Sequence, residues 1–412
     1  MRPDELRPRV AMLLSNPYGP DVRAQKQAHM LALAGYAVTV IAWDRPLSHP
    51  PQAVETIPDQ LAAALDGWSG RRVERPAPLS IVRIRLRAGW REGALHLAPR
   101  IPLFWWRLLR EARRVRPAIV HAHQLDTLPA AYLFSRLYSV PVVYDAREYY
   151  AGMLEPTVGR LISGVLERAD RYLTPRVGAV LAVGERQAER HRAMGGRVWV
   201  VHNSQPPPLS DDAGAEAHAF RAAHGIPTGA LLVAYVGNLS PDRLLAPLLE
   251  AVQRLDDVYL VIGGDGPQMS AVRAAASVCS RIRVLGVVEL ARVGSIVAAS
   301  DVVYYGLDAS VPNSFYFMPN LAFFAFAAGR PLLVTPVGEI AAVVAREKCG
   351  VVMKAPTAAA ADDALRRLQS PAFRAGLAAR SSQLGQGALN LKSDATQLLQ
   401  AYGSVAASGS KQ

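Results

Sequence analysis

Two glycine-bearing turns and a set of charged residues near the ends of apolar runs are the parts of this 412-residue chain that could do chemistry. In GNLSPDR (237–243), Gly237 follows an apolar run, so a backbone without a Cβ can approach a ligand, and the amides of the next turn can face a diphosphate. Arg243 closes that segment, where a guanidinium can neutralise charge growing on a departing diphosphate. GGDGP (263–267), with Gly264 and Gly266, reads equally as a second ligand turn and as an ordinary strand-to-helix turn. In the first half, His121 and His123 end one apolar run, Asp145, Arg147 and Glu148 follow another, and Tyr18, Asp21 and Arg23 follow a third.

The imidazole of His123 can orient a hydroxyl without acting as a general base. Strand alternation is expected to leave only one of the two histidines facing the site. Arg147 can bind an anionic group or pair with Glu148 or Glu155, and Asp21 and Arg23 are expected to shape the mouth of a cleft. The histidines have no companion ligands at metal spacing, and Cys279 and Cys349 stand seventy residues apart. Neither a metal site nor a disulfide is expected, and both cysteines read as buried thiols.

These residues sit in an alternating α/β series. Arg9 to Asn16, Ala37 to Ala42, Ala118 to His121, Val140 to Tyr144, Ala179 to Val183 and Val198 to Val201 are short apolar strands, with helical stretches at Ala24 to Leu33 and Leu128 to Tyr138. Pro50 to Arg100 is expected to be an excursion with one strand, Leu79 to Arg87. The run Ser204 to Ala215, with Pro206, Pro207 and Pro208, marks a linker. A second series follows, with strands at Leu231 to Val236, Val258 to Ile262, Arg281 to Leu285, Val302 to Val303 and Pro331 to Thr335. Pro371 to Tyr402 reads as helical and Gly403 to Gln412 as a frayed tail.

Length and a 50% apolar composition suit two domains. The predicted boundaries are residues 1–205, 206–385, and a helix from 386 that returns toward the first domain before a flexible tail to 412. Residues 1–200 carry 29 Lys or Arg against 18 Asp or Glu, so the basic excess, nearly all Arg, lies in the first half. Such a surface attracts anionic headgroups or polyphosphates, but no recognition motif accompanies the charge and nucleic acid is not an expected partner. No leader-like or membrane-spanning apolar stretch is present, which predicts a cytoplasmic chain. Leu95 to Arg116 combines Trp105, Trp106 and several leucines with six arginines. It reads as a packed helix with an exposed Arg-rich face or as a helix lying on an anionic membrane, with Pro99 and Pro102 delaying its start to Leu103.

The order GNLSPDR, GGDGP, a strand ending in LG, and a Pro-Asn segment leading to AAGRP resembles the retaining family 4 glycosyltransferases of the GT-B fold. HAHQLDTLPAA, VYDARE and VLAVGERQAER followed by VVHN support the same resemblance in the first half. It implies two doubly wound Rossmann-like domains facing a central cleft, the first holding an acceptor and the second a nucleotide diphosphate sugar. The expected donor is UDP- or GDP-linked, with no other cofactor and no metal, and the expected acceptor a glycan, lipid-linked or small molecule, with a membrane surface as a further partner.

The resemblance implies a donor site of Gly237, Asn238, Arg243, Gly264, Gly266, Leu285, Gly286, Tyr316 and Asn320. His123, Arg243 and Tyr316 would stand nearest the chemistry. Tyr18, Asp21, Arg23, Asp145, Arg147 and Glu148 would lie on the acceptor side. Registering AAGRP (327–331) puts Tyr316 and Phe324 at the positions of the family's glutamate pair and Leu321 at a lysine of a related subgroup. Phe324 cannot accept the ribose hydrogen bonds that its glutamate counterpart takes. A noncatalytic GT-B-like protein that binds glycan or positions a partner enzyme is therefore the alternative, with an epimerase on the related fold behind it. Glu339, in the turn TPVGEI, reads as a solvent-facing carboxylate or as a contact to the sugar or diphosphate.

Overall fold

The computed structural model describes residues 7–66, 68, 76–88, 99–207 and 213–409. The chain divides into two compact units, one comprising residues to His202 together with those from Lys392 on, the other Asn203–Leu391.

The first unit is built on an eight-stranded sheet of order β3-β4-β2-β1-β5-β6-β7-β8. Its strands are β1 (Arg9–Leu14), β2 (Ala37–Asp44), β3 (Gln52–Glu55), β4 (Leu79–Arg85), β5 (Ile119–His123), β6 (Val142–Ala146), β7 (Ala179–Ala182) and β8 (Val198–Val200). All neighbours run parallel except β3, which is antiparallel to β4. The helices are α1 (Val22–Leu33), α2 (Asp59–Ala64), α3 (Arg100–Val115), α4 (Leu128–Tyr138), α5 (Tyr150–Leu173), α6 (Glu185–Ala193) and, from the chain's end, α15 (Leu391–Gly409). Helices on both faces explain why β1, β5 and β6 are nearly continuous apolar runs: no strand face meets water. Trp43, Phe104, Leu108, Leu128, Phe134 and Tyr144 belong to one buried cluster of this unit.

The second unit carries a wholly parallel six-stranded sheet of order β11-β10-β9-β12-β13-β14. Its strands are β9 (Leu231–Val236), β10 (Val258–Gly263), β11 (Ile282–Gly286), β12 (Val302–Tyr305), β13 (Leu332–Val334) and β14 (Gly350–Val352). Helices α7 (Ala213–Ala223), α8 (Ala246–Arg254), α9 (Met269–Val278), α10 (Leu290–Ala299), α11 (Asn320–Ala327), α12 (Gly338–Glu347), α13 (Ala358–Gln369) and α14 (Pro371–Gln386) complete it. Both cysteines are free and buried.

Three local expectations are corrected. The excursion after Pro50 holds two strands, because β3 pairs antiparallel at the sheet edge with a short, partly polar sequence that carries no apolar run. Helix α3 starts at Arg100 rather than Leu103. Pro102 falls in the first turn, where the missing N–H would have had no intrahelical partner. The tail from Gly403 continues α15 to Gly409, anchored by the fully buried Val405, whose methyls lie where a Cβ on Gly178 would sit. Residues 95–98, 208–212 and 410–412, which belong to the segment from Leu95, the linker and the tail, lie outside the described residues.

The loops beyond β9, β10 and β11 are interlocked. The Gly237 amide donates to the Gly263 carbonyl at 3.0 Å, Gly264 to Gly286 at 2.6 Å, and Leu239 to Asp265 at 2.9 Å. Gly264 has φ +132°, and a Cβ there would stand 1.8 Å from the Gly237 carbonyl oxygen. Only glycine fits both the torsion and the space. Gly264→Ala is expected to destabilise the protein by about 3 kcal/mol in urea unfolding followed by circular dichroism; an unchanged midpoint would refute the interlock.

Candidate functional site

In the first unit, charged residues gather where β1, β5 and β6 end. Asp21 caps α1 by accepting the Ala24 amide at 3.1 Å, and it also accepts from the Asn16 side-chain amide at 2.7 Å. Arg147 Nη1 donates to both Asp21 oxygens at 2.7 and 2.8 Å. Arg23 donates from Nε and Nη2 to Asp145 at 2.6 to 3.0 Å, and from Nη1 to the carbonyls of Val201 and His202 at 2.7 and 3.0 Å. Asp21 and Arg23 were expected at a cleft mouth; both are buried. Tyr18 holds φ +75° and is buried, with its amide on the Asn16 side chain at 2.8 Å. Glu148 is half-buried, and its carbonyl accepts from Gln187 at 2.8 Å.

His121 and His123 share a face. Their rings stack at 4.3 Å between centroids and 17° between planes. The expectation that alternation would separate them is wrong, because residues two apart on a strand point the same way. His123 Nδ1 lies 3.1 Å from Asp145, while its buried Nε2 has no protein partner. His121 Nδ1 shares a 2.9 Å hydrogen bond with the hydroxyl of Tyr402 on α15. Burial first, and then neighbouring His123, push His121 well below its ordinary range, so it is neutral. Burial also works to raise the Asp145 carboxyl, but Arg23 and His123 outweigh it and hold it well below the usual carboxylate range.

One ligand atom from each of His121, His123 and Asp145 lies within 4.8 Å of the others, a possible metal trio that spacing along the chain did not reveal. Arg23 already donates to both Asp145 oxygens. A divalent cation there would have to displace a buried guanidinium, so the trio does not fit a metal.

In the second unit, Gly237, Gly264 and Gly286 come together through the interlocked loops, and Gly266 lies against the 238–239 segment, where its Cβ would meet Asn238 Oδ1 and the Leu239 carbonyl. Leu285 is half-buried on β11. The Asn238 carbonyl accepts from the Tyr235 hydroxyl at 2.6 Å. Arg243 is ion-paired with Asp242, and its guanidinium lies over the rings of Phe317, at 4.9 Å, and Tyr305, at 5.4 Å. Tyr316 ends the single turn Pro312–Phe315, its ring edge-on to Phe315. The Asn320 side chain bonds that of Asn203.

Leu321 is buried, and Phe324 is half-buried on α11, with its ring facing Gly294 of α10. Glu339 is 6% exposed rather than solvent-facing. The start of α12 packs on the Pro312–Phe315 turn, where a Cβ on Gly338 would sit 2.2 Å from the Ser314 carbonyl oxygen. Sequence reasoning did not single out Tyr305 or Phe317, nor the role of Tyr402, which lies 281 residues from its partner His121.

Two stability effects follow. Asp145→Asn leaves the buried Arg23 charge without its carboxylate and is expected to cost about 3–5 kcal/mol in urea unfolding; a loss under about 1 kcal/mol would show that the pair does not hold the unit. The second concerns pH. An unfolded chain protonates His121 near its ordinary value of about 6.5 while the native one does not, so stability is expected to fall as pH drops below about 6.5. In melting curves at successive pH values, His121→Asn should flatten that fall, and an unaltered slope would exclude His121 as its source.

Comparison with known proteins matches residues 18–204 to a family model described as "Glycosyl transferase 4-like domain", and residues 230–370 to one described as "Glycosyl transferases group 1". A curated relative, D-inositol 3-phosphate glycosyltransferase of Mycolicibacterium gilvum, is 28% identical over 55% of this chain and 52% of its own length. The chain thus spans about half the length of the curated relative it matches. Among solved structures, sucrose-phosphate synthase from Thermosynechococcus elongatus aligns with a TM-score of 0.77 at 16% identity, covering 98% of this chain and 100% of that one. The Anabaena protein HepE in complex with UDP-glucose aligns at 0.70 and 13% identity, covering 97% and 100%. The two doubly wound units have the GT-B fold, and residues 18–204 and 230–370 each match a glycosyl transferase family model.

Proposed function

We propose that this protein transfers a sugar from a UDP- or GDP-linked donor to a hydroxyl of a glycan or lipid-linked acceptor, with retention at the anomeric carbon. The observation that carries the reading is His123. Its ring stacks on His121 with Nδ1 3.1 Å from Asp145, and its buried Nε2, like Nδ1, has no hydrogen-bond partner among the described residues, at the carboxyl end of a parallel strand where ligands of open α/β sheets sit. In this reading the first unit takes the acceptor, and the second takes the donor on the loops of Gly237, Gly264 and Gly286. His123 orients a sugar hydroxyl. The bond from the anomeric carbon to the diphosphate oxygen breaks, the acceptor oxygen adds on the same face, and its proton passes to the departing phosphate oxygen. Arg243 stabilises the charge left there.

A second reading, a noncatalytic glycan-binding or partner-positioning protein, is favoured by two features. Asp242 already neutralises Arg243, and Phe324 offers no acceptor for a ribose. The two readings differ in calorimetry with UDP- and GDP-sugars. A donor site predicts saturable binding that falls about tenfold or more in Arg243→Ala and rises severalfold in Asp242→Ala, which removes the neutralising carboxylate. Folded protein that binds no donor, with both variants indistinguishable from wild type, would favour the noncatalytic reading.

A further inference from the structure

A cavity of 890 Å³ opens at the other end of the first unit's sheet from His123 and Asp145, lined among others by Arg9, Arg110, Arg113, Arg114, Arg116 and Tyr138. Arg9 opens β1, Arg116 caps α3 in the left-handed conformation, and Tyr138 ends α4, so the cavity lies by the amino ends of the central strands. Five guanidinium groups here meet one carboxylate, Glu111, which pairs with Arg110 at 3.2 Å and Arg114 at 2.8 Å. Arg113 lies 5.9 Å over the Tyr138 ring. Among the described residues Arg9, Arg113 and Arg116 make no ion pair. All five guanidinium groups are solvent-exposed, so together they present a positive surface that attracts anions.

The surroundings decide which anion. Helix α3 packs on α4, and α4 on α5. Nine of the fourteen exposed large apolar side chains among the described residues lie on these three helices, including Leu103, Trp106, Leu133 and Leu137. A soluble phosphate or a polyphosphate gives such side chains no apolar partner. A twofold contact with a second copy would set the cationic hollow beside its own image. An anionic bilayer satisfies both features at once, with lipid phosphates at the arginines and leucine and tryptophan side chains in the interfacial layer. The geometry points to a phospholipid-headgroup site in this cavity, seating the α3–α5 face of the first unit on an anionic membrane.

Vesicle co-sedimentation of the full chain tests this binding without reference to turnover, so its outcome is independent of the transferase reading. With phosphatidylcholine vesicles containing about one part in four phosphatidylglycerol, the protein should sediment and be released by salt; pure phosphatidylcholine should leave it in solution. Arg113→Ala/Arg116→Ala should lower the partition coefficient about thirtyfold, at about tenfold in affinity per 1.4 kcal/mol and about 1 kcal/mol per basic residue. The matched pair Arg273→Ala/Arg380→Ala, on exposed arginines of the second unit, should leave it unchanged. Trp106→Ala should weaken sedimentation without changing its salt dependence, and circular dichroism confirms that each variant is folded. Equal binding to both vesicle types, equal losses in both arginine pairs, or no sedimentation would overturn the site. Saturable binding of inorganic phosphate that depends on Arg113, without vesicle binding, would overturn the membrane assignment in favour of a soluble anion.

Discussion

The first unit depends on one buried ion pair. Arg23, near the start of α1, and Asp145, at the end of β6, are 122 residues apart in sequence, and both are removed from water. Two charges so buried cost more to desolvate than their attraction returns, unless every remaining donor and acceptor is met. The arginine satisfies that condition by also donating to the carbonyls of Val201 and His202. It therefore ties α1, β6 and the segment after β8 together. Because Asp145 also faces His123, the contact that closes the fold orients the imidazole as well. Asp21 and Arg147 form a second pair beside it, giving alternating charges whose depressed carboxylates keep their full stabilisation above the carboxylate range.

The second unit solves a different problem. The end where β9, β10 and β11 finish is made of backbone: three loops bonded amide to carbonyl, with Gly264 and Gly266 where a Cβ would collide. The cation at that end is held by a carboxylate and two aromatic rings rather than left open. Aromatic faces favour a guanidinium without neutralising it, whereas Asp242 does neutralise it.

The order of strands was legible because strands covered on both faces must be apolar throughout. The same rule hid β3, a short edge strand without such a run, and it hid the end of α15, where one buried valine among Gly, Ser and Ala anchors a helix. Most first-unit site residues could be named from their place at strand ends. Their pairings could not, since Arg23 with Asp145, Arg147 with Asp21 and Tyr402 with His121 join positions more than 120 residues apart. In the second unit the glycines were legible because their torsions admit little else. The aromatic surroundings of Arg243 were not, because Tyr305 and Phe317 carry no signal that separates a clamp from a core.

The return of the chain end constrains what the first unit can accept. Tyr402 bonds His121, and the Asp394 carboxylate accepts the His202 amide at 2.9 Å beside the carbonyl that Arg23 uses. Residues of α15 thus complete surroundings that α1 begins. In that finished site the buried cations have carboxylate or carbonyl partners, and Arg147 is bound to both oxygens of Asp21. An anionic group arriving beside His123 would have to break one of these pairs and leave a buried charge exposed to nothing, at a cost of several kcal/mol. A hydroxyl reaching Nε2 of His123 would break none of these pairs.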